Sequence, residues 1–255
     1  KVVFDGANGA GYKVGPRALT ALGAEVIPIG CSPNGKNIND GCGSTQPDLL
    51  QLTVPAVRAH VGVALDGDGD RLVMVDENGA LIDGDQLLLI LALARHDVGE
   101  LTGPVVGTVM SNLGLEKALK ARNIEFRRAS VGDRYVLEAL REFGGVIGGE
   151  TSGHMIVLDK TTTGDGLICA LQVLKIMKVS GKPLSELAAG MKKFPQTMIN
   201  VRTERRLDLA GSKDIQSAVT AAEAELRDTG RIVLRASGTE PVIRVMVEGE
   251  DSKQV

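Results

Sequence analysis

Twice along this chain a β-branched run, an amphipathic stretch and a second apolar run follow one another within about 30 residues, the length a parallel strand-helix-strand crossover needs. In the first copy Val2 to Asp5 is closed by the turn GANGAG. Val14, Ala18, Leu19 and Leu22 then recur at helical spacing until Gly23, and Glu25 to Ile29 follows as a strand. In the second, Val105 to Met110, Leu113 to Arg122 and Ile124 to Arg128 repeat the order and the size. The chain therefore reads as two consecutive α/β domains with mostly parallel sheets, meeting near Gly99 to Pro104. Past Phe194 and Pro195 the pattern changes to a strand (Thr197 to Thr203), an amphipathic helix (Asp214 to Arg227) and two strands (Ile232 to Arg235, Val242 to Glu248) joined by ASGTEP. That pattern predicts an antiparallel hairpin in a small C-terminal α+β domain, and a division into residues 1–102, 103–194 and 195–255. At 255 residues the chain is long enough for such a division. Pro55 should kink or interrupt the helical segment from Pro47 to Val61.

Composition narrows the function classes. With 43% apolar and 24% charged residues the chain matches ordinary globular proteins. No run approaches the roughly 18 uncharged apolar residues of a bilayer crossing. Leu87 to Ala94 is short enough for a buried helix, and no signal peptide opens the chain, so a cytoplasmic protein is expected. A net charge of -3 and 2% aromatics argue against a nucleic-acid partner. Cys31, Cys42 and Cys169 form no C-x-x-C pair and no metal-ligand spacing. They read as reduced structural thiols, with Cys31 and Cys42 in one polar loop that could expose them.

The acidic loop DGDGDR, Asp66 to Arg71, lies between predicted strands Gly62 to Leu65 and Leu72 to Val75. Asp66, Asp68 and Asp70 alternate with glycines, so the backbone can turn tightly enough for three carboxylates to converge. They repel one another unless a cation sits between them, and oxygen ligands suit Mg²⁺ or Ca²⁺ rather than zinc. An EF-hand would place ligands at Asp66, Asp68, Asp70 and Glu77, but it needs Gly where Arg71 stands. An acidic turn without an ion is the remaining alternative.

Two further loops carry chemistry. RASGTEPVIR, Arg235 to Arg244, sets Ser237, Gly238 and Thr239 between two arginines, which is either a phosphate cradle or an ordinary hairpin turn with surface arginines. GGETSGH, Gly148 to His154, places Glu150, Ser152 and His154 at alternate positions. If the segment stays extended all three face one side, a set suited to a polyhydroxylated ligand or to proton transfer. In VGDRYV, Val131 to Val136, Asp133 and Arg134 read as helix-capping residues. GANGAG lacks the G-x-G-x-x-G spacing of a dinucleotide site, so it reads as a tight strand-to-helix turn. Ser111 in VMSNLG has no basic partner evident in sequence and is not read as a nucleophile.

The ordered motifs DGDGDR, GGETSGH and RASGTEPVIR resemble those of the α-D-phosphohexomutases. INDGCGSTQP (Ile38 to Pro47), VGDRYV, DKTTTGDG (Asp159 to Gly166) and SGTEPVIRVMVEGED further resemble the phosphoglucosamine mutase branch rather than the phosphomannomutase and phosphoglucomutase branches. The resemblance spans essentially the whole chain. It implies a four-domain enzyme of which this chain supplies the second, third and fourth domains, converting glucosamine 6-phosphate to glucosamine 1-phosphate through a phosphoserine and a bisphosphorylated sugar. By position it implies Mg²⁺ on Asp66, Asp68 and Asp70, and Arg71 beside the transferring phosphoryl group. Glu150 and Ser152 would hold sugar hydroxyls, and His154 would carry a proton near the reacting oxygen. Arg235, Ser237, Gly238, Thr239 and Arg244 would grip the phosphate at the non-reacting end.

The family's S-A-S-H-N serine loop is absent from this chain, which is expected to need that missing N-terminal domain for turnover. Its end at Val255 is expected to precede the last helix of the fourth domain. Within the enzyme class the alternative is phosphomannomutase or phosphoglucomutase activity, and the alternative from another class is a non-catalytic module that binds metal and phosphosugar. The mutase reading also requires the aspartates and the serine-threonine turn to border one cleft.

Overall fold

The computed structural model of the chain describes residues 1–203, 209, 211–236 and 242–255. It divides into two compact units, one of Lys1–Ser111 with Lys117–Met191, the other of Asn112–Glu116 with Lys192–Val255.

The larger unit repeats one plan. The first copy starts with β1 (Val2–Asp5), α1 (Gly11–Ala21), β2 (Val26–Ile29), α2 (Asp48–Ala56) and β3 (Val61–Leu65), then closes with β4 (Leu72–Val75) and β5 (Leu81–Ile82). Its sheet runs β2-β1-β3-β4-β5, with β1 parallel to β2 and β3, and β4 antiparallel to β3 and β5. After α3 (Gly84–Asp97) the second copy follows as β6 (Val105–Thr108), α4 (Leu113–Ala121), β7 (Phe126–Ala129), α5 (Asp133–Phe143), β8 (Ile147–Gly149) and β9 (Met155–Val157). Its sheet runs β7-β6-β8-β9, parallel except for the last pair. In both copies the chain leaves a parallel strand through a short loop and returns antiparallel: β3 to β4 through Asp66–Arg71, and β8 to β9 through Glu150–His154. The two chemically loaded loops thus occupy equivalent places at the carboxyl ends of parallel strands, where α/β sheets form their ligand crevices.

Helix α3 is apolar nearly all round because it is buried nearly all round: Leu87 through Ala92 are each at most 3% exposed. Each such leucine contributes about 1.5–3 kcal/mol by leaving water. Asp83 and Gln86 close a capping box at its start. It packs on α6 (Gly166–Ser180), α7 (Leu184–Ala188), β4 and β8, and α6 also packs on β3, β4 and β9. Because α3 and α6 each touch strands of both sheets, they join the two copies at the ends where the loops emerge.

Pro55 terminates α2 rather than kinking a longer helix. The helix ends at Ala56, the chain turns through Arg58 at φ 52°, and β3 begins at Val61. Without an N–H, Pro55 cannot continue the helical ladder.

In the smaller unit β10 (Gln196–Arg202), α8 (Lys213–Leu226), β11 (Gly230–Ala236) and β12 (Val242–Gly249) follow in order. The sheet runs β10-β12-β11, antiparallel throughout, with α8 against β11. The predicted hairpin is therefore β11–β12. Among the described residues no helix is long and apolar enough to cross a membrane.

Candidate active site

The fully buried strand β3 delivers Asp66, itself 6% exposed, to the end of the sheet. Asp66 Oδ1 accepts from the backbone N–H of Gly69 at 3.2 Å and of Arg71 at 3.1 Å, so the first carboxylate shapes its own loop. Ligand oxygens of Asp66, Asp68 and Asp70 all lie within 4.8 Å of one another. Burial raises the pKa of Asp66, the bond from Arg71 N–H opposes this, and the charges of Asp70 and Asp68 raise it further. Asp70 Oδ1 is buried with no hydrogen-bond partner. An orphaned carboxylate oxygen amid two more carboxylates is the donor set a hard divalent cation satisfies, so these residues fit such an ion. The EF-hand alternative is excluded by the flanking strands and by Glu77, which accepts a hydrogen bond from the Ser185 hydroxyl.

The loop is braced from three sides. Gly67 O accepts from Ala10 N–H at 2.8 Å, Gly69 O from Gly166 N–H at 2.9 Å, and Leu65 O from Ser44 N–H at 2.9 Å. GANGAG is thus a strand-to-helix turn whose second half, Gly9 and Ala10, packs on the acidic loop. The segment 38–44 is a second brace. Cys42 is buried within it and Cys31 is partly buried, so the polar loop does not open them fully to solvent; burial pushes both thiols up, which suits the structural reading.

The segment Glu150–His154 is a hairpin turn, not an extended strand, so alternation does not set its side-chain directions. Gly153 at φ 94° lets Glu150 O accept from Gly153 N–H at 2.9 Å while Glu150 N–H donates to His154 O at 3.0 Å. The turn is seated against the acidic loop: Leu72 N–H donates to Gly153 O at 3.0 Å, and Arg71 and His154 form an antiparallel bridge. The His154 side chain is thereby buried beside the carboxylates, Nδ1 3.1 Å from Asp70 Oδ2 and Nε2 3.8 Å from Asp133 Oδ2. Glu150 Oε1 accepts from Gly132 N–H at 2.9 Å, and Ser152 is exposed at the turn's tip. The half-exposed Arg71 side chain places Nε 3.6 Å from Asp66 Oδ2.

Folding therefore brings Asp66, Asp68, Asp70, Arg71, Glu150, Ser152 and His154 to one pair of loops. It also adds two residues not read as functional. Asp85, fully buried in the first turn of α3, accepts from the Thr151 hydroxyl at 2.9 Å, while Gly84 N–H donates to Thr151 O. Its signal was a carboxylate opening an otherwise apolar helix. Asp133 makes no capping bond, since Gly132 occupies the N-cap of α5, and its carboxylate faces His154 instead. Arg134 pairs with Glu138 one turn on. Ser111 is buried, its Oγ accepts from Thr108 N–H, and Arg128 holds its carbonyl oxygen at 2.7 Å.

In the smaller unit Arg235 and Arg244 are direct cross-strand partners on β11 and β12. Ser237, Gly238 and Thr239, the rest of the expected phosphate loop, lie outside the described residues.

Comparison with known proteins gives consistent matches. Family models described as phosphoglucomutase/phosphomannomutase match as alpha/beta/alpha domain II at residues 1–79, alpha/beta/alpha domain III at 83–194 and C-terminal domain at 198–255. The chain is 54% identical over 255 residues to the phosphoglucosamine mutase of Methylococcus capsulatus, and 56% identical over 258 residues to that of Thioalkalivibrio sulfidiphilus. Each alignment covers 100% of this chain and 57% of the relative, so the chain spans a little over half the length of these curated relatives. A solved N-acetylglucosamine-phosphate mutase in its product complex is similar with a TM-score of 0.80 at 20% identity, covering 100% of this chain and 59% of that one. The Aspergillus fumigatus N-acetylphosphoglucosamine mutase, solved with GlcNAc-6P and magnesium, gives 0.79 at 19% identity, covering 99% and 63%. These structural likenesses carry the fold.

Proposed function

The chain belongs to the phosphoglucomutase/phosphomannomutase family, and we propose that it is the metal- and sugar-handling part of a phosphoglucosamine mutase. The reaction is the reversible conversion of glucosamine 6-phosphate to glucosamine 1-phosphate. A phosphoserine outside this chain, on an N-terminal domain of the same cytoplasmic protein, donates its phosphoryl group to the free hydroxyl of the sugar. The bisphosphorylated sugar turns round, and the opposite phosphate returns to the serine.

The observation that carries this reading is the junction of the two loops. A histidine nitrogen sits 3.1 Å from one oxygen of Asp70, whose other oxygen is buried without a partner within the carboxylate cluster. Proton transfer and cation binding thus share one side chain. Asp66, Asp68 and Asp70 would hold Mg²⁺, which when bound offsets the negative charge of the phosphoryl group in transfer. Arg71 adds a second positive charge, from the last residue of the loop. His154 takes or returns the proton of the reacting sugar oxygen, its ring held by Asp70. Glu150 and Ser152 bind sugar hydroxyls from the turn. Arg235 and Arg244, with Ser237, Gly238 and Thr239, grip the distant phosphate, and catalysis is mostly positioning and electrostatics.

Two measurements on the intact enzyme test the proposal. Calorimetric titration should show Mg²⁺ binding that Asp68→Asn weakens by at least about 100-fold, since even outer partners of metal ligands contribute 10- to 100-fold. Unchanged Mg²⁺ affinity in the variant refutes the metal role. Turnover should favour glucosamine 6-phosphate over glucose and mannose 6-phosphates; preference for either neutral sugar moves the activity to another branch of the family.

A further inference from the structure

Resting on that proposed activity, we infer that Asp133 is the residue that selects the amino sugar, by pairing with the ammonium group at C2. Its carboxylate stands at the sugar-binding turn, 3.8 Å from His154 Nε2 and 61% exposed. It is the first residue of α5, yet makes no capping bond, and Gly132 beside it donates its N–H to Glu150. Asp133, Glu150 and His154 therefore border the same small volume, and each of the other acids there has a task. Asp66, Asp68 and Asp70 form the cation cluster, and Glu150 holds the Gly132 backbone. At 3.8 Å the approach to His154 is too long for a hydrogen bond, so among the described residues Asp133 has an accessible carboxylate with no bonded partner.

A further negative charge is adverse in a site whose substrate carries a phosphate, and it is tolerable only where a cation meets it. Glucosamine phosphate brings one cation, the C2 ammonium, where glucose and mannose phosphates bring a hydroxyl. An ammonium donates charge-assisted hydrogen bonds to a carboxylate, roughly twice as strong as those between neutral groups. A neutral hydroxyl at the same place leaves the carboxylate without its counter-charge. Asp133 thus rewards the amine and penalises its neutral analogues, which is how a polar site separates substrates of similar shape.

The test measures kcat/KM of the intact enzyme for glucosamine 6-phosphate and glucose 6-phosphate in wild type, Asp133→Asn and Asp133→Glu, with melting temperatures checked alongside. Asp133→Asn should lose about 10- to 100-fold toward the amino sugar while glucose 6-phosphate turnover holds within about threefold or rises, and Asp133→Glu should recover part of the selectivity. A fall of equal size on both sugars would show that Asp133 acts through His154 and overturns the assignment, as would an unchanged ratio. A wild type with no preference for the amino sugar overturns the proposed activity and this inference together. A selective wild type with an equally selective Asp133→Asn overturns the inference alone.

Discussion

A methyl group at Gly9 would fall 2.2 Å from the carbonyl oxygen of Gly67 and 2.6 Å from its Cα. Both obstacles are backbone, so neither can swing aside, and relief requires the strand-to-helix turn or the acidic loop to shift. Gly9→Ala should therefore destabilise the larger unit by about 1–3 kcal/mol, as overpacking does elsewhere. It should also weaken Mg²⁺ binding, because the displaced residue lies between Asp66 and Asp68. Denaturant melts and Mg²⁺ titration read the two effects, and a variant unchanged in both contradicts the bracing role. The glycine spacing of GANGAG was legible as wrong for a dinucleotide. That its glycine serves the neighbouring loop was not, because the contact partner lies far along the chain. Cys169 follows the same logic: its thiol, pushed up to about 12 by burial in α6, matches the structural reading of its sequence.

At the level of elements, both copies of the repeat turn from a parallel strand into an antiparallel one at a loaded loop, and α3 and α6 hold the two turns together. The far end of α3 is tied as well. Asp159, just beyond β9, accepts from Arg95 at 2.8 Å and lies 3.0 Å from Lys160 Nζ. Burial raises its pKa, but the bonds from Lys160 and Arg95 outweigh this and hold the carboxyl below its ordinary value of 3.8. A carboxylate whose folded pKa is depressed stabilises the fold above its unfolded pKa, and that contribution disappears as pH falls through the folded value. Asp159→Asn should therefore be less stable than wild type at neutral pH, by a margin screened by solvent at this 37% exposed side chain. The two should converge below about pH 3.8 in urea melts run across pH. A margin that persists unchanged in acid removes the ion pair as its cause. Periodicity located β1, α1, β2, β6, α4 and β7 to within a few residues, since it is a local property, whereas α6 was not read from the sequence. The extended reading of Glu150 to His154 failed because Gly153 permits a positive φ that alternation cannot reveal.

At the level of the whole chain, one of the two compact units is held by a buried polar anchor. In the smaller one Glu248, fully buried on β12, accepts from Arg231 Nε at 2.6 Å, Gln196 Nε2 at 2.9 Å and Leu113 N–H at 2.8 Å. It joins β10, β11 and the start of α4 through one carboxylate, while Asn112 exchanges two bonds of 3.0 Å with the backbone of Phe194. Removing one member of a buried pair typically costs about 3–5 kcal/mol. Glu248→Ala should lower hydrogen-exchange protection across β10, β11 and β12 by that amount and leave the α3 core protected. Equal loss in both units, or none in the sheet, contradicts this account.

From residue order alone came the repeated strand-helix-strand plan, the small antiparallel hairpin, the aspartate cluster and the family resemblance, because periodicity, glycine spacing and contiguous motifs act over a few residues. Folding alone set His154 against Asp70, seated Thr151 on Asp85 and turned Asp133 from a presumed cap toward the Glu150–His154 turn. Those contacts join segments distant in sequence, and their distances follow from how two sheets pack around α3 and α6, which no local pattern encodes.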